Sequence, residues 1–509
     1  MEKKSWMSGF LDKVEVAGNK LPHPVTLFIL LAGFVVVLSA VFAALDTSVT
    51  YDMINAATQE VVSTTVVARS LLDADGIRFM FTSVISNFTG FFALGTVFTM
   101  IVAVSVAEGT GLISSLMVKV VKVTPAKLVT ATVVFLGIMS NVASSTGYVV
   151  LVPLGAIIFK SFKKHPIAGL AAAFAGVSGG WSANLLIGSN DPLFAGISTQ
   201  AAQLLDTGYT VLTTANWYFM IVSTFVITIL GTWVTEKIVI PRLGEYKDDS
   251  ASEEVADITE LQRRGHRWAL LGLLGVVALL LWLTWGEGSV LNPTGNILVS
   301  PFMSSIIAVI SLIFLIPGIL YGLGAKTISS DKDMVEMMIK GISGISTFLV
   351  LVFFAAQFVS YFNYSNLGVI LSVSGANFLQ SVGFVGIPLI LAFIVLTAFI
   401  NLFIAVDSAK WVIMAPVFVP MFMRLGLSPE LSQVVYRIGD SSTNIIAPLM
   451  PFFPLAVAFC QKYDKKFGIG SLITTMVPYS IAFLIGWSVL FVIWYLLGLP
   501  LGPGAGLFY

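Results

Sequence analysis

The chain has 509 residues, of which 57% are hydrophobic and 11% charged, and its 27 basic and 27 acidic residues balance to zero net charge. Soluble domains carry roughly 25% charged residues, so this composition excludes an ordinary soluble protein. The balanced charge argues against nucleic acid as a partner. One cysteine, Cys460, and 3 scattered histidines exclude internal disulfides and the usual zinc motifs.

Apolar runs long enough to cross a bilayer recur along the chain. The charged segment 1–24 precedes them and is predicted to be cytoplasmic. We predict nine crossings, two of them interrupted: 25–45, 89–110, 166–205, 214–240, 268–286, 300–322, 343–364, 431–460 and 472–498. Segment 46–88 is predicted to be a long outer excursion, partly helical and interfacial.

Two further apolar stretches, 128–160 and 386–424, are broken near their middles by polar residues. If both are re-entrant hairpins, 22 of the 27 basic residues fall on one side of the membrane, as the positive-inside rule requires. We therefore predict an all-α polytopic inner-membrane protein with nine transmembrane helices and two opposed hairpins. Its N-terminus is predicted to be cytoplasmic and its C-terminus outside.

The polar segment 242–267 is predicted to be a cytoplasmic linker between two halves, 25–241 and 268–509. Each half contains one hairpin, at about 128–160 and about 386–424. Each hairpin is followed by a broken span, at about 166–205 and about 431–460.

The two halves also resemble each other in sequence. The motif S-T-G-Y-V-V-L-V-P that begins at Ser145 resembles S-A-K-W-V-I-M-A-P at Ser408, and S-A-N at Ser182 resembles S-T-N at Ser442. The basic residues flank the two hairpins on opposite sides, so the repeat is predicted to be inverted. Inverted repeats with interrupted helices are typical of secondary transporters.

Polar residues cluster where these helices break. Backbone that leaves a helix at membrane depth is tolerated only inside protein or along a cavity. Hard oxygen ligands there suit Na⁺ or a proton-carrying carboxylate rather than a soft metal, although small polar residues also simply allow close helix packing. The candidate ion ligands at the breaks are Asn141, Ser145, Asn401, Asp440 and Asn444, and Asn184 and Asp191 are candidate substrate-binding residues.

Charged residues within the membrane cost at least about 2.5–3.5 kcal/mol each on insertion scales. Arg437 is predicted to hold a substrate carboxylate and Asp440 to couple to the ion, with a structural Arg437–Asp440 pair as the alternative. Lys410 and Asp407, three residues apart, are expected to pair with each other. Trp411 either stacks on an aromatic substrate or packs in the core.

Six segments together make the chain resemble the p-aminobenzoyl-glutamate transporter (AbgT) family. They are V-E-V-A-G-N-K-L-P-H-P (14–24), S-N-V-A-S-S-T-G-Y-V-V-L-V-P-L-G-A (140–156), S-A-N-L-L-I-G-S-N-D-P (182–192), F-A-A-Q-F-V-S-Y-F-N-Y-S-N-L-G (354–368), S-A-K-W-V-I-M-A-P-V-F-V-P-M-F-M (408–423) and Y-R-I-G-D-S-S-T-N (436–444). The resemblance implies a homodimer with nine spans and two opposed hairpins per subunit.

The same resemblance implies roles for individual residues. The positions matching the family's substrate pathway are Asp191, Trp411, Pro429, Arg437 and Asp440. The positions matching its proposed sodium site are Asn401, Asp440 and Asn444. The first repeat meets the wider sodium-symporter pattern only loosely, because Ser140-Asn141-Val142 lacks the threonine of that pattern.

The sequence thus predicts an ion-coupled secondary transporter, not an enzyme, for p-aminobenzoyl-glutamate or related aromatic folate-pathway compounds. Its expected partners are a small aromatic carboxylate, the lipid bilayer and a second copy, with a sodium ion as the one candidate cofactor. The resemblance leaves open import of the glutamate conjugate or export of sulfonamide antimetabolites. The alternatives are sodium-coupled transport of another carboxylate, a channel, or an intramembrane hydrolase using Asp191 and Asp440.

Overall fold

The computed structural model describes residues 24–54, 61–143, 147–246, 257–286, 288–297, 300–344, 346–404 and 406–509. Three predictions fall outside this part of the chain: the segment 1–24 except Pro24, the candidate ligand Ser145, and residues 247–256 of the linker. The described part is mostly helical and also contains a two-stranded sheet.

The first half consists of helices and one pair of strands. In chain order these are α1 (Pro24–Ala44), β1 (Ser48–Ile54), β2 (Val61–Val67), α2 (Ala74–Thr82), α3 (Val84–Thr89), α4 (Phe92–Gly109), α5 (Leu112–Lys122), α6 (Val129–Ser140), α7 (Val152–Ser161), α8 (Pro166–Phe174), α9 (Asn190–Ala202), α10 (Trp217–Val234) and α11 (Ile240–Leu243). Short 3₁₀ turns flank α6 at Ala126–Leu128 and Asn141–Ala143. Three π-helical turns adjoin α7, α8 and α10, at Gly147–Leu151, Ala175–Gly179 and Thr235–Val239.

The described part of the second half is helical. Its helices are α12 (Glu260–Thr284), α13 (Pro301–Ser304), α14 (Ile306–Ala325), α15 (Asp331–Gly344), α16 (Ser346–Tyr364), α17 (Leu367–Ser381), α18 (Ile387–Asn401), α19 (Asp407–Arg424), α20 (Pro429–Asn444), α21 (Phe453–Gln461) and α22 (Ile469–Leu496). A large apolar core joins the two halves and includes Phe194 from the first and Trp411 and Tyr436 from the second.

Several helices are long and apolar enough to cross a membrane. Within the described ranges there are five: Val25–Ala44, Trp217–Leu243, Glu260–Thr284, Ile306–Ala325 and Ile469–Leu496. A sixth is added if α4 and α5, which meet at 56° beside Gly111, form one bent span. A helix of 20 residues is about 30 Å long, which matches the hydrocarbon core of a bilayer. The prediction of nine crossings stays a prediction.

The helices end at three of the four places where the sequence predicts a break; at the fourth, Arg437–Asn444 is helical and the interruption follows it. The interruptions lie between Ser140 and Gly147, Gly179 and Asn190, Asn401 and Asp407, and Asn444 and Phe453. The two arms of the second hairpin lie side by side, since the Phe393 ring of α18 packs 4.7 Å and 5.1 Å from the rings of Phe418 and Phe422 in α19. The re-entrant course of both hairpins stays a prediction.

Segment 46–88 differs from the predicted, partly helical excursion. It contains α2 and α3, but β1 and β2 also pair in antiparallel register from Ser48 opposite Val67 to Ile54 opposite Val61. The run of valine and threonine in Val61–Val67 favours a strand, because β-branched side chains suit a pleated surface. That signal was present in the sequence and was not used.

Two buried asparagines make the same contact in the two halves. Asn141 Nδ2 donates to the carbonyl oxygen of Gly180 at 3.3 Å, and Asn401 Nδ2 donates to that of Asp440 at 2.9 Å. In both cases donor and acceptor are 39 residues apart. Each contact ties the tip of a hairpin to the following span, at the break itself in the first half and within α20, four residues before its end, in the second.

Candidate substrate and ion site

The breaks of the two halves meet in space. Trp181, in the interruption that follows α8, donates from Nε1 to Asp407 Oδ2 at 2.7 Å, and Asp407 begins the second arm of the other hairpin. Tyr436 Oη, from α20, donates to the Asp407 carbonyl oxygen at 2.5 Å. One side chain from each repeat therefore holds Asp407: Trp181 binds its carboxylate and Tyr436 its backbone carbonyl, which would otherwise lack a partner at membrane depth.

A lysine and a carboxylate form an ion pair that is fully enclosed. Lys410 Nζ lies 2.5 Å from Asp440 Oδ1, and neither side chain has any exposed surface. Lys410 also donates to Asn401 Oδ1 and to the carbonyl oxygen of Ile404, the latter at 3.4 Å. The expected Lys410–Asp407 pair is wrong: Asp407 instead accepts from Trp181 and from the backbone amide of Ser408.

A second ion pair joins the two halves. Arg437 Nη2 donates to Asp191 Oδ1 at 2.7 Å, across 246 positions of sequence. Arg437 is 3% exposed and Asp191 15% exposed. Asp191 is therefore the carboxylate partner of Arg437, so the alternative of an Arg437–Asp440 pair is not the observed arrangement.

The Arg437 guanidinium is only partly satisfied by its neighbours. Nη2 lies 3.3 Å from the Ser182 carbonyl oxygen, and Nη1 lies 3.5 Å from Asn216 Oδ1. The buried Nε has no hydrogen-bond partner among the described residues. An arginine offers five N–H donors in a planar fork, so this one retains capacity for a further oxygen ligand.

A small cavity of about 10 Å³, which is room for about one water molecule, lies beside this pair. It is lined by Ser182, Asn184, Leu186, Ile187, Asp191, Thr213, Trp217 and Met220. Pockets that enclose drug-sized ligands usually measure about 300–1,000 Å³. The space is therefore smaller than an aminobenzoyl dicarboxylate would need, and the described conformation is closed around the candidate site.

Trp411, which was a candidate to stack on an aromatic substrate, packs against another side chain of the protein. Trp411 has no exposed surface, and its ring centroid lies 4.4 Å from that of Tyr436. Its Nε1 donates to Ser198 Oγ at 3.0 Å. In this conformation Trp411 is a packed core residue, and a substrate ring would reach it only after Tyr436 moves.

Pro429 lies at the start of α20 rather than beside the ion pairs. It is the first residue of that helix, is buried, and follows the cap Ser428, whose Oγ accepts from the Leu431 amide at 3.1 Å. Proline suits this position because its missing N–H would have no helical partner there. Its visible role is to begin the helix that presents Arg437 and Asp440.

The sequence analysis missed a polar chain that leads from Trp411 to Arg437. Ser198 Oγ, which accepts from Trp411, donates to Gln433 Oε1 at 2.8 Å. Gln433 Nε2 donates to Asn216 Oδ1, also at 2.8 Å, and that oxygen faces Arg437 Nη1. The signal existed in α20, where the polar residues recur at helical spacing on one face: Glu430, Gln433, Arg437, Asp440 and Asn444.

The predicted sodium ligands of the second repeat lie together. Asn401 Nδ2 donates to Asn444 Oδ1 at 2.8 Å and to Thr443 Oγ1 at 3.0 Å, and Asn444 Nδ2 lies 3.4 Å from Asp440 Oδ2. Carboxylate, amide and carbonyl oxygens are the hard donors that an alkali cation prefers, so the donor chemistry fits sodium. Here the Lys410 ammonium supplies the positive charge at these oxygens.

The first repeat presents fewer ligands. Asn141 Oδ1 is buried without a partner in the described ranges. Asn184 Nδ2 lies 3.3 Å from the Ile138 carbonyl oxygen, and its Oδ1 accepts from the Leu186 amide at 3.1 Å. Ser145 lies outside the described residues. Within the described chain no group of three or more His, Cys, Asp or Glu side chains could hold a metal ion.

Comparison with known proteins gives matches over nearly the whole chain. A family model described as "AbgT putative transporter family" matches residues 9–509. The p-aminobenzoyl-glutamate transport protein of Escherichia coli (strain K12) is 39% identical over 493 residues, covering 96% of this chain and 95% of that protein.

Two solved structures share the fold. The Alcanivorax borkumensis YdaH transporter, described as having an unusual topology, gives a TM-score of 0.88 at 43% identity and covers 95% of this chain and 100% of its own. Neisseria gonorrhoeae MtrF, described as illuminating a class of antimetabolite efflux pumps, gives a TM-score of 0.91 at 48% identity. The match covers 97% of this chain and 100% of the MtrF chain.

Broken apolar helices that enclose paired charges, together with these similarities, define a multi-pass membrane transporter. Both the family match and the curated relative extend over almost the full length, which excludes a similarity confined to one apolar segment. The chain belongs to the AbgT transporter family. The resemblance stated from the sequence is thereby confirmed.

Proposed function

We propose that the protein is a secondary transporter that moves p-aminobenzoyl-glutamate, or a related aromatic carboxylate, with energy from a sodium or proton gradient. The observation that carries this proposal is the Arg437–Asp191 pair, which joins the two halves at their helix breaks and borders a cavity. A buried arginine with an unpartnered N–H is suited to recognise a carboxylate that arrives from water.

The proposed binding step is an exchange of carboxylates at Arg437. A substrate carboxylate would take the place of Asp191 on the guanidinium, and Asp191 would turn toward the cavity that it already lines. The Phe194 ring, 5.3 Å from the Arg437 guanidinium carbon, and the Trp411–Tyr436 pair supply aromatic surface nearby. Opening the site would require a rearrangement, since the cavity is too small for the ligand.

Asn401, Asp440 and Asn444 are proposed to hold the coupling ion. Sodium would supply a positive charge at oxygens that the Lys410 ammonium otherwise neutralises. A free cation and the Lys410 ammonium therefore compete for Asp440, and cation entry requires the ammonium to leave. The neighbouring Arg437 lies on the same helix, α20, so a shift of that helix would affect both sites.

Several wider features belong to this proposal. They are nine crossings, two opposed hairpins moving against a dimerising scaffold, residence in the inner membrane, a cytoplasmic N-terminus and an outer C-terminus. The related E. coli protein is named for p-aminobenzoyl-glutamate transport and MtrF is described with antimetabolite efflux pumps. We propose aromatic compounds of the p-aminobenzoyl-glutamate class as substrates here, with sulfonamide export as one direction.

Transport by purified protein in liposomes tests the proposal. Labelled p-aminobenzoyl-glutamate or sulfonamide should accumulate against its gradient when a sodium or pH gradient is imposed. Arg437→Ala should abolish this flux, whereas Arg69→Ala, at an exposed arginine, should retain it. Flux without accumulation would indicate a channel, and cleavage of the conjugate would indicate an intramembrane hydrolase. Transport of other carboxylates but not of these compounds would indicate a different substrate. The absence of any gradient-dependent flux would contradict the proposal.

A further inference from the structure

A basic groove lies far in sequence from the candidate site, between α5 and the charged end of α12. It is open, measures about 450 Å³ and is lined by Lys119, Lys122, Val123, Asp257, Ile258, Arg263, His266, Arg267 and Leu270. Four of these side chains are cationic and one is a carboxylate. The groove therefore carries a net positive charge at one end of a helix that is long enough to cross the membrane.

Among the described residues, two of the four cations have no counter-ion. Lys122 pairs with Asp257, and Arg263 lies 2.8 Å from Glu260. Lys122 lowers the pKa of the Asp257 carboxyl. The exposed side chains of Lys119 and Arg267 form no ion pair with any residue of the described chain.

A direct contact holds the two walls of the groove together. Ser115 Oγ, on α5, lies 3.0 Å from His266 Nε2, on α12. The His266 ring also packs 5.4 Å from the ring of Tyr321 in α14. These contacts fix the two helices that present Lys119 and Arg267, so the groove is part of the packed structure rather than a gap between loops.

The apolar side of the groove continues along α12 toward the membrane. Residues at intervals of three and four lie on one face of a helix. Downstream of Arg263 and Arg267, this face presents large exposed apolar side chains: Leu270, Leu274, Val277 and Leu281. In a membrane protein such a face is covered by acyl chains, and the cations above it lie at headgroup level.

We propose that this groove binds an anionic glycerophospholipid. Its phosphodiester would lie between Lys119 and Arg267, and an acyl chain would follow Leu270, Leu274 and Val277. Basic pockets between transmembrane helices suit such headgroups because charge and apolar surface adjoin. The proposal does not depend on which substrate the protein transports.

Native mass spectrometry of the full-length protein with dioleoyl phosphatidylglycerol or dioleoyl phosphatidylcholine tests this. The wild type should bind phosphatidylglycerol more tightly. The double substitution K119Q/R267Q should weaken that binding about thirtyfold, because each basic residue near an anionic surface contributes roughly 1 kcal/mol. Binding of phosphatidylcholine should remain unchanged.

Three controls make the test decisive. K465Q/K466Q removes the same charge from exposed lysines outside the groove and should have no effect, whereas K119R/R267K should retain selectivity. If K119Q/R267Q proves unstable, D257N, which frees Lys122, should tighten phosphatidylglycerol binding; unchanged binding would contradict the proposal. Equal affinity for both lipids would also contradict it, as would displacement of the lipid by millimolar inorganic phosphate or p-aminobenzoyl-glutamate.

Discussion

Lys410–Asp440 and Arg437–Asp191 are both buried acid–base pairs, but their surroundings differ. The first has no exposed surface, and its ammonium is surrounded by oxygens of Asp440, Asn401 and Ile404. The second borders a cavity, and its arginine retains an unpartnered N–H. The first pair lies within the second half of the chain, whereas Arg437–Asp191 joins the two halves.

This difference separates two roles. Taking two charges out of water costs several kcal/mol per ion, which their attraction offsets only if the remaining hydrogen-bonding capacity is used. The Lys410 pair meets that condition and forms a closed ion cluster. The Arg437 pair meets that condition only in part, so an oxygen atom of a ligand could accept the remaining hydrogen bond of the guanidinium. This difference supports the proposal that substrate binds at the pair that bridges the halves and the coupling ion at the enclosed pair.

The largest expected effect comes from breaking the enclosed pair. Asp440→Ala leaves the Lys410 ammonium buried without a counter-ion, and removing one partner of such a pair typically costs about 3–5 kcal/mol. Asp191→Ala should cost less, because Arg437 still faces the Ser182 carbonyl, Asn216 and a cavity. Thermal unfolding of the purified proteins would measure both changes.

The double substitution K410M/D440L should recover most of that loss, because it removes both charges and leaves apolar groups of similar size. Asp75→Ala, which breaks an exposed pair with Arg78, should leave the melting temperature unchanged and serves as the control. Equal destabilisation by Asp440→Ala and Asp191→Ala would contradict the distinction between the two pairs.

Arg437→Ala should produce the next largest effect, in ligand binding. Hydrogen bonds to charged groups contribute about 1.5–3 kcal/mol, so affinity for p-aminobenzoyl-glutamate should fall roughly ten- to 150-fold. Titration calorimetry on protein in detergent would measure this. Arg437→Lys keeps the charge but loses the fork and should recover only part of the affinity. Retained affinity in the alanine variant would remove Arg437 from the substrate site.

Asp191→Asn should raise the affinity for p-aminobenzoyl-glutamate, whereas Arg437→Ala should lower it. The substitution removes the carboxylate that competes with substrate for Arg437, so equilibrium binding of p-aminobenzoyl-glutamate should tighten. Transport should nevertheless slow, because the returning carboxylate that releases substrate is lost. The same calorimetric titration, followed by flux in liposomes, separates the two effects. Weaker binding would mean that Asp191 contacts the substrate rather than competing with it.

The breaks in the helices were predictable from composition, but the partners of the charges were not. Glycine, proline, serine and asparagine clusters mark where a membrane helix ends, and the structure has interruptions at three of the four predicted places. Arg437 and Asp191 are 246 positions apart. Their contact depends on how the two halves pack, which short-range spacing does not encode. Spacing along the chain instead favoured a partner three residues away, which is Asp440 for Arg437 and Asp407 for Lys410.

Burial also could not be assigned from residue type alone. Trp411 follows Lys410 in a motif typical of a site, yet its ring packs on Tyr436 without any exposed surface. The polar face of α20 was readable at helical spacing, since Glu430 and Gln433 precede Arg437 by seven and four positions. Treating the polar residues of that face as one surface would have predicted Gln433 as a site residue.

The smallest expected effect tests whether Trp411 influences Arg437 through the hydrogen-bonded chain that joins them. Trp411→Phe keeps the ring beside Tyr436 but removes the hydrogen bond to Ser198, which should cost about 0.5–1.5 kcal/mol in thermal unfolding. Because Ser198 leads through Gln433 and Asn216 to Arg437, substrate affinity should weaken slightly as well. Ser198→Ala removes the same link from the other side, so its effect should not add to that of Trp411→Phe. Additive effects would show that the hydrogen-bonded chain from Trp411 to Arg437 does not act as a unit.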